Sequence, residues 1–583
     1  MLKKLVLLKN DLKNINNEDP IILLNYYYFF EFFEKINNKN YQILNHYTKG
    51  KDYSFYFKEC KSIYDSIAPD FCREFNKIHL LDYSDESSKI IFGAWLQQFI
   101  EICYERFHSI KKLFLEEKVQ KVKIIDSLHF NLATTDHVNI YENSLNEGWN
   151  FVLISKIISF FKFSPSYEVD NNVFKVKNFD NNENFKNNIK NKKIKIINYL
   201  FYFLNKLKKK NFLIYQSYLK FLDEKKLEIY LKQFPSFLNF SYDISEKFNH
   251  DKRKNINLNK SKELTIENFI RFILPSSIPV SFIESFERLK KETFNFPQGC
   301  KFICSANAFE MNSLFKIYSA EQREKKSKII SIQHGSGSSL LPNSYLSKDY
   351  EFCDKFITWG HKDNPKDIQL FNIKTINKVV NYKKDGFLNV VLQPPGKYTR
   401  LFDRHLESFN VIKFVKYLED SFDTKIKQNI VLKTHSNFNL KKFNIKIFDY
   451  YRNFFDQISF KKIVNKNFYE IANLSRLNLF TYNSTGILES LSLKIPTLCY
   501  WKDGYNAINN KYFYKFKLLE NAKIFFTDKK KLITHIKEIW NNVDKWWLNP
   551  KTLSAIETFN SGLNLTFKGN PIKELSNKLK NLN

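Results

Sequence analysis

From Lys301 to Trp501 the chain carries a series of short apolar runs, each the length of a buried strand: Lys301–Ser305, Lys328–Gln333, Lys355–Trp359, Asn389–Gln393, Asn429–Lys433, Leu477–Thr481 and Pro496–Trp501. Helical patterns separate most of them. Strands that are apolar throughout, and that alternate with helices, imply parallel sheets covered on both faces. The expected fold class is therefore α/β. A Lys-Lys-Asp-Gly stretch within Tyr382–Leu388 reads as a hinge between two such sheets.

The first half reads differently. Met1–Lys9 reads as a strand and Pro20–Ile36 as an aromatic helix. Ser87–Glu117 places Phe92, Trp95, Leu96, Phe99, Ile100, Cys103, Tyr104 and Phe107 at three- and four-residue steps, which predicts a long amphipathic helix. Val122–Ile125 follows as a strand. Helices are expected over Asn150–Phe163, Ile194–Lys208 and Leu227–Phe240, the last broken near Pro235. Two stretches rich in Asn, Asp and Lys, about 169–193 and 247–262, read as solvated loops. At 583 residues the chain exceeds one core. The division expected is 1–380, an acceptor-side Rossmann-like part with helical insertions; 385–545, a nucleotide-donor part; and a helical tail over 546–583.

The chain has 92 basic and 61 acidic residues, a net charge of +31. Such a surface suits nucleic acid, anionic lipid or phosphorylated substrates. No nucleic-acid motif accompanies the charge, and the excess of Lys, Asn, Ile, Phe and Tyr is what AT-rich coding produces, so no nucleic acid is expected as partner. Peripheral contact with an anionic inner membrane is compatible with it. Cys300 and Cys304 form a lone C-x-x-x-C with no second pair, so no zinc site is expected. Scattered cysteines, no signal peptide and no long uncharged apolar stretch lead to a cytoplasmic expectation.

Ligands of open α/β sheets bind beyond the carboxyl ends of the strands. Four such ends carry polar residues. Ser331–Ser339 reads SIQHGSGSS, where His334 can act as general base and Gly335 lets the backbone approach a ligand closely. Lys433 and His435 follow the strand at 429–433 and can donate to phosphate oxygens. Asn483-Ser484-Thr485-Gly486 opens a helix, whose free amides and dipole favour an anion. Glu489 lies four residues after Thr485 on the same face, placed to accept from ribose hydroxyls. Ser305 and Asn307 end the fourth strand. Taken singly, each also reads as an ordinary loop or capped helix. Trp501 and Gly504 stand where a nucleotide base would be flanked.

These residues resemble a bacterial transferase family found with lipopolysaccharide and O-antigen biosynthesis, and more distantly the GT-B class that includes CDP-glycerol glycerophosphotransferases. The resemblance runs through Ile91–Phe107, Leu132–Trp149, Leu274–Glu287, Gln333-His334-Gly335, Thr358-Trp359-Gly360 and the Ser484-Thr485, Glu489, Pro496-Thr497 run. The chain departs where the family continues Gln-His-Gly-Gly-x-Tyr-Gly, having Ser336-Gly337-Ser338-Ser339 instead. His361 follows Thr-Trp-Gly where the family commonly has an aromatic, and Tyr482-Asn483 precedes the donor loop where the distant relatives have an Asp.

The resemblance implies a GT-B-like fold, two Rossmann-like domains facing across a cleft with an N-terminal helical elaboration. It implies that His334 is the acceptor-activating base, that His435, Ser484 and Thr485 hold the donor diphosphate, and that Glu489 holds the ribose. Gly335, Lys433 and Gly486 complete the expected donor-phosphate site. The donor would be a nucleotide-sugar or CDP-linked, the acceptor a glycan or lipid-linked glycan. No cofactor is expected, and the chain lacks an Asp-x-Asp triplet for a GT-A-type metal. The rival readings are a non-catalytic nucleotide-binding scaffold of a glycan-assembly complex and a basic nucleic-acid-binding protein.

Overall fold

All seven apolar runs form strands in the computed structural model, within one or two residues of their expected bounds. The structure describes residues 3–7, 20–23, 41–44, 53–117, 119–125, 130–144, 146–163, 166–169, 210–258, 261–336, 339–341, 345–392, 408–433, 462–464 and 467–582. The chain forms two compact units, the first of Met1–Ile332, Lys348–Lys355 and Lys397–Asp403, the second of Gln333–Ser347, Phe356–Gly396 and Arg404–Asn583.

In the first unit, β1 (Lys3–Val6), β2 (Ile21–Leu23), β3 (Tyr41–Ile43), β4 (Val119–Ile124) and β5 (Ser166–Val169) form a parallel sheet in the order β3-β2-β1-β4-β5. Three further strands, β6 (Phe212–Ile214), β7 (Phe302–Ser305) and β8 (Lys328–Ile332), pair in parallel, β6 to β7 to β8. The helical core consists of α1 (Tyr53–His79), α2 (Asp85–Glu116) and α3 (Glu147–Phe161). The Ser84 side chain accepts from the Ser87 amide at 3.3 Å to start α2, with Asp85 and Glu86 favouring the positive end. Helix α2 is buried on nearly every face, packing against α1, α3 and the later α6 (Ser313–Glu324), and so behaves as a core element. Between α3 and α6 lie α4 (Phe221–Tyr230) and α5 (Ile266–Ile273).

Three expectations are corrected here. Ile21–Leu23, placed in a helix by its aromatic neighbourhood, is a fully buried parallel strand. The helix expected over Leu227–Phe240 ends at Tyr230, its last turn closing through Lys232 in the left-handed region (φ 58°). The polar stretch 247–262 is partly core. Arg253 is buried against Glu284, donating from Nε at 2.7 Å and Nη2 at 2.6 Å, while Ile256 and Leu258 bury beside it. Charge density alone misreads a segment whose one arginine meets a partner distant in sequence. The loop expected at 169–193 lies, beyond Val169, outside the described residues, as does the helix expected at 194–208.

In the second unit β9 (Lys355–Thr358) pairs β10 (Asp367–Gln369). The main sheet contains β11 (Phe387–Val391), β12 (Ile430–Lys433), β13 (Lys462–Val464), β14 (Ser475–Phe480), β15 (Thr497–Tyr500) and β16 (Phe525–Phe526), all parallel, in the order β13-β12-β11-β14-β15-β16. Counted along the chain this is 3-2-1-4-5-6, the dinucleotide-fold order, whose topological switch point lies between β11 and β14. The helix leaving β14 is α7 (Thr485–Ser492). Among the described residues no helix is long and apolar enough to cross a membrane.

Candidate functional site

The switch point of the second unit is where the expected site residues gather. Strand β14 ends at Phe480, and Thr481 ties that end to β11, its amide and hydroxyl both donating to the Val391 carbonyl at 3.2 and 2.9 Å. The chain then turns through Tyr482–Ser484 into α7. Ser484 occupies the N-cap with extended backbone (φ −115°, ψ 155°), but its hydroxyl accepts no amide of the helix. The Ile487 amide turns back to the Ser484 carbonyl at 3.2 Å, which leaves the Thr485 and Gly486 amides as donors at the positive end of the helix dipole. The expected capping by the Ser484 side chain is thus corrected in its detail.

The Gln-His-Gly loop reaches this helix start. The Ser336 amide donates to Thr485 Oγ1 at 3.2 Å. A Cβ on Gly335 would lie 2.9 Å from the same oxygen, so a larger residue would have to move the Thr485 hydroxyl or the loop. A Cβ on Gly486 would lie 2.7 Å from the ring of buried Phe480, so any larger residue here must displace that ring or the helix start. Residues 334–336 and 484–486 therefore belong to one piece of the second unit. His334 is half-buried within it.

A residue left without a role by sequence reading sets the loop. The Gln333 amide donates to the Ile357 carbonyl at 2.8 Å, its Nε2 donates to the Gly335 carbonyl at 2.9 Å, and its Oε1 accepts from the Trp359 amide at 2.7 Å. Gln333 is buried, so these bonds are shielded from water. This binds the Gln-His-Gly and Thr-Trp-Gly motifs together. At the far end, the Asn509 amide donates to the Leu340 carbonyl at 2.8 Å.

Lys433 ends β12, two strands from β14, which at ordinary strand spacing is roughly 10 Å along the same carboxyl edge. It is half-buried, and burial lowers its ammonium below the usual lysine range. His435 lies outside the described residues. Glu489 stands one turn beyond Thr485, half-buried, and accepts a hydrogen bond from the Tyr469 hydroxyl. Burial, with the charge of Glu489 adding to it, raises the Tyr469 phenol, so it remains a donor. Burial lowers the Lys374 ammonium while the nearby Glu489 charge opposes that shift, and Lys378 Nζ lies 3.5 Å over the Tyr469 ring. Tyr469, Lys374 and Lys378 were not singled out in the sequence; they come from other segments, and no local pattern marks them. The Tyr469 hydroxyl bonds one oxygen of the carboxylate, Oε2.

One expectation at this edge fails. Trp501 is 2% exposed, with its ring against Phe516 and Phe525 at centroid distances of 5.1 Å each, and is core rather than the flank of a base. In the first unit, Ser305 is consumed by its own turn, accepting from the amides of Asn307 at 3.3 Å and Ala308 at 2.9 Å.

The first unit holds its own polar concentration just beyond β7. His137 Nδ1 lies 2.7 Å from both Asp136 Oδ1 and Ser313 Oγ, and its Nε2 lies 2.8 Å from the Glu310 carbonyl. One ring nitrogen meets both acid and hydroxyl while the other is closed by backbone, so this is no nucleophile–base–acid relay. Burial opposes the charge of Asp136, but His137 and the hydroxyls of Ser313 and Tyr242 more than offset it and hold the carboxyl below its usual range. Lys316 is fully buried, its ammonium without a hydrogen-bond partner, and burial lowers it to about 7. Lys348 Nζ reaches Glu310 Oε1 at 3.1 Å. Among the described residues no three His, Cys, Asp or Glu side chains are grouped as a metal site.

A model of the LIC12162 family transferases matches residues 4–579. The chain belongs to that family. No curated protein matches it. A spinosyn rhamnosyltransferase, SpnG, complexed with spinosyn aglycone, is among the matching solved structures, at 6% identity and a TM-score of 0.25, over 51% of this chain and 80% of that one. A likeness of that size carries no inference about this chain, and transferase is the class that the family gives it.

Proposed function

We propose that this LIC12162 family transferase moves a sugar or polyol-phosphate group from a nucleotide-activated donor to a hydroxyl acceptor in surface-polysaccharide biosynthesis, on the cytoplasmic side of the inner membrane. The GT-B-like organisation expected from the sequence is part of the proposal. The observation that carries it is the Ser336–Thr485 hydrogen bond, which puts the histidine loop and the uncapped start of α7 in one place at the switch point. Donor phosphates bind at the amides of α7, with Lys433 from the same sheet edge. Glu489, oriented by Tyr469, accepts from the ribose hydroxyls.

His334 takes the proton from the acceptor hydroxyl as its oxygen attacks. The bond between the transferred group and the donor phosphate breaks, and the nucleotide leaves with both bonding electrons. The charge it gains is stabilised by fixed amides rather than by water that must reorient.

The test is a thermal-shift screen of the protein against UDP-, CDP-, GDP- and CMP-linked ligands, followed by transfer assays. At least one nucleotide class should raise the melting temperature, and Glu489→Ala should weaken that shift. His334→Ala should keep the shift and lower transfer by about 10²–10⁴-fold, the range for a positioned base. No shift from any class ends the proposal, and binding without turnover would make the chain a scaffold.

A further inference from the structure

Helix α4 is built inside out. Its ten residues read FLDEKKLEIY; Asp223 and Glu228 are buried along with Leu227, while Phe221, Leu222 and Ile229 face water. Glu228 is fully buried, accepting from Lys210 Nζ at 2.7 Å, Lys225 Nζ at 3.0 Å and the Ser236 amide at 2.8 Å. Asp223 is 7% exposed. By contrast Phe221, Leu222 and Ile229 are 59%, 69% and 58% exposed. Leu222, Lys226 and Ile229 stand at i, i+4 and i+7, one stripe of the helix.

The flanks continue the pattern. Tyr218 before the helix is 40% exposed and Phe234 after it is 42% exposed. Tyr218 has its backbone in the left-handed region (φ 66°), as does Gln216 (φ 50°), a conformation that costs free energy for a residue with a side chain. Such an arrangement persists only when its surroundings impose it.

The charges choose the partner. Between Gln216 and Pro235 the exposed charged residues are Lys220, Lys226 and Lys232, all positive, because every acid in this interval is buried or half-buried. Apolar and aromatic side chains ringed by lysines, on a helix lying along the surface, match the boundary between headgroups and acyl chains of an anionic bilayer. A protein partner of ordinary composition gives no reason for the wholesale removal of acids from the face.

We propose that α4 with its flanking Tyr218 and Phe234 is a docking surface for anionic lipid, seating this unit on the membrane. The inference does not rest on the transferase reading. It is tested by co-sedimenting the full-length protein with vesicles of roughly equal parts phosphatidylglycerol and phosphatidylethanolamine, and with pure phosphatidylcholine vesicles.

Wild type should pellet with the anionic vesicles and only weakly with phosphatidylcholine. The double variant Leu222→Ser, Ile229→Ser should lose about tenfold or more in partitioning, since each substitution removes apolar surface that would leave water on insertion. Its melting temperature should match wild type because both side chains are exposed, which separates lost docking from lost folding. Lys220→Glu with Lys226→Glu should reduce anionic binding and leave phosphatidylcholine unchanged. Equal pelleting of wild type and the double variant overturns the proposal, as does failure of wild type to bind anionic vesicles. A wild-type dimer that the double variant abolishes also overturns it, by showing that a second copy covers the face.

Discussion

Two strand-to-helix junctions in this chain look alike in sequence and differ in what they leave open. Beyond β7, Ser305 and Asn312 consume the helix starts. Ser305 accepts from two amides, Asn312 Oδ1 accepts from the Phe315 amide at 2.8 Å to cap α6, and the Ser313 amide donates to the Tyr242 hydroxyl at 3.1 Å. Beyond β14, Ser484 accepts no helix amide, and Thr485 receives a bond from a different segment, the Ser336 amide. The first junction is closed by side chains of its own unit's core. At the second, the Ile487 amide turns back to the Ser484 carbonyl at 3.2 Å and no capping side chain takes the amides of Thr485 and Gly486. Small polar residues after a buried strand therefore do not identify a site; what matters is whether those residues spend their hydrogen bonds on the helix.

The largest test of this contrast concerns the exception inside the closed junction, Lys316. In the unfolded chain this lysine holds its proton to about pH 10, whereas in the folded protein burial lowers it to about 7. Between those values the unfolded state binds more protons, so this group makes stability rise with pH across that window. Lys316→Met should flatten the rise relative to wild type and add on the order of a few kcal/mol at neutral pH, at roughly 1.4 kcal/mol per unit of depressed pKa. Urea unfolding of both proteins at several pH values measures it. Parallel slopes would show that the ammonium finds a partner in solution and that the closed junction has no exception.

Next in size is Gly486. The Cβ contact of 2.7 Å with Phe480 means Gly486→Val must push the ring or the start of α7. Overpacking of this kind costs about 1–3 kcal/mol. Chemical denaturation should register that loss, and nucleotide-induced thermal shifts should fall because the donors move. A variant of unchanged stability would mean the helix start is looser than its packing indicates.

A pair of serine substitutions addresses the contrast directly. Ser305→Ala removes an acceptor from two amides and should cost about 0.5–2 kcal/mol, as loss of a capping side chain does. Ser484→Ala should leave stability within about 0.5 kcal/mol, since its hydroxyl takes no helix amide. Equal costs in unfolding experiments would erase the difference between the junctions.

How far the sequence reveals such differences depends on where the partners lie. The seven apolar runs are legible because burial on both faces writes itself into consecutive residues. Helix α2 is legible from its three- and four-residue steps. Short strands such as Tyr41–Ile43, Phe212–Ile214 and Phe525–Phe526 escape because two or three residues carry no period. At the site, His334, Lys433, Thr485 and Glu489 are visible as strand-end chemistry. Tyr469, which holds Glu489, precedes it by 20 residues and belongs to a separate short helix, Phe468–Ala472. The inversion of α4 is hidden as well, because Glu228 looks solvent-facing until Lys210, 18 residues upstream, is seen beneath it.

A small effect is also expected at the hydroxyl that joins the two motifs. Thr485→Val keeps shape and removes the acceptor that the Ser336 amide uses at 3.2 Å. A neutral hydrogen bond of this sort contributes about 1 kcal/mol, and Thr485 is half-buried, so water replaces part of it. Stability should therefore fall by less than about 1 kcal/mol. The loop carrying His334 is otherwise pinned by Gln333 and should stay in place, so nucleotide binding should weaken severalfold while the pH dependence of transfer remains that of wild type. Gln333→Leu should do the reverse. It removes the side-chain bonds to Gly335 and Trp359, frees the histidine loop, and should shift the pH profile and lower turnover with α7 and its amides untouched. If Thr485→Val instead alters the pH profile and Gln333→Leu alters only binding, the histidine is positioned by the helix rather than by its own loop, and the division of labour argued for this junction is reversed.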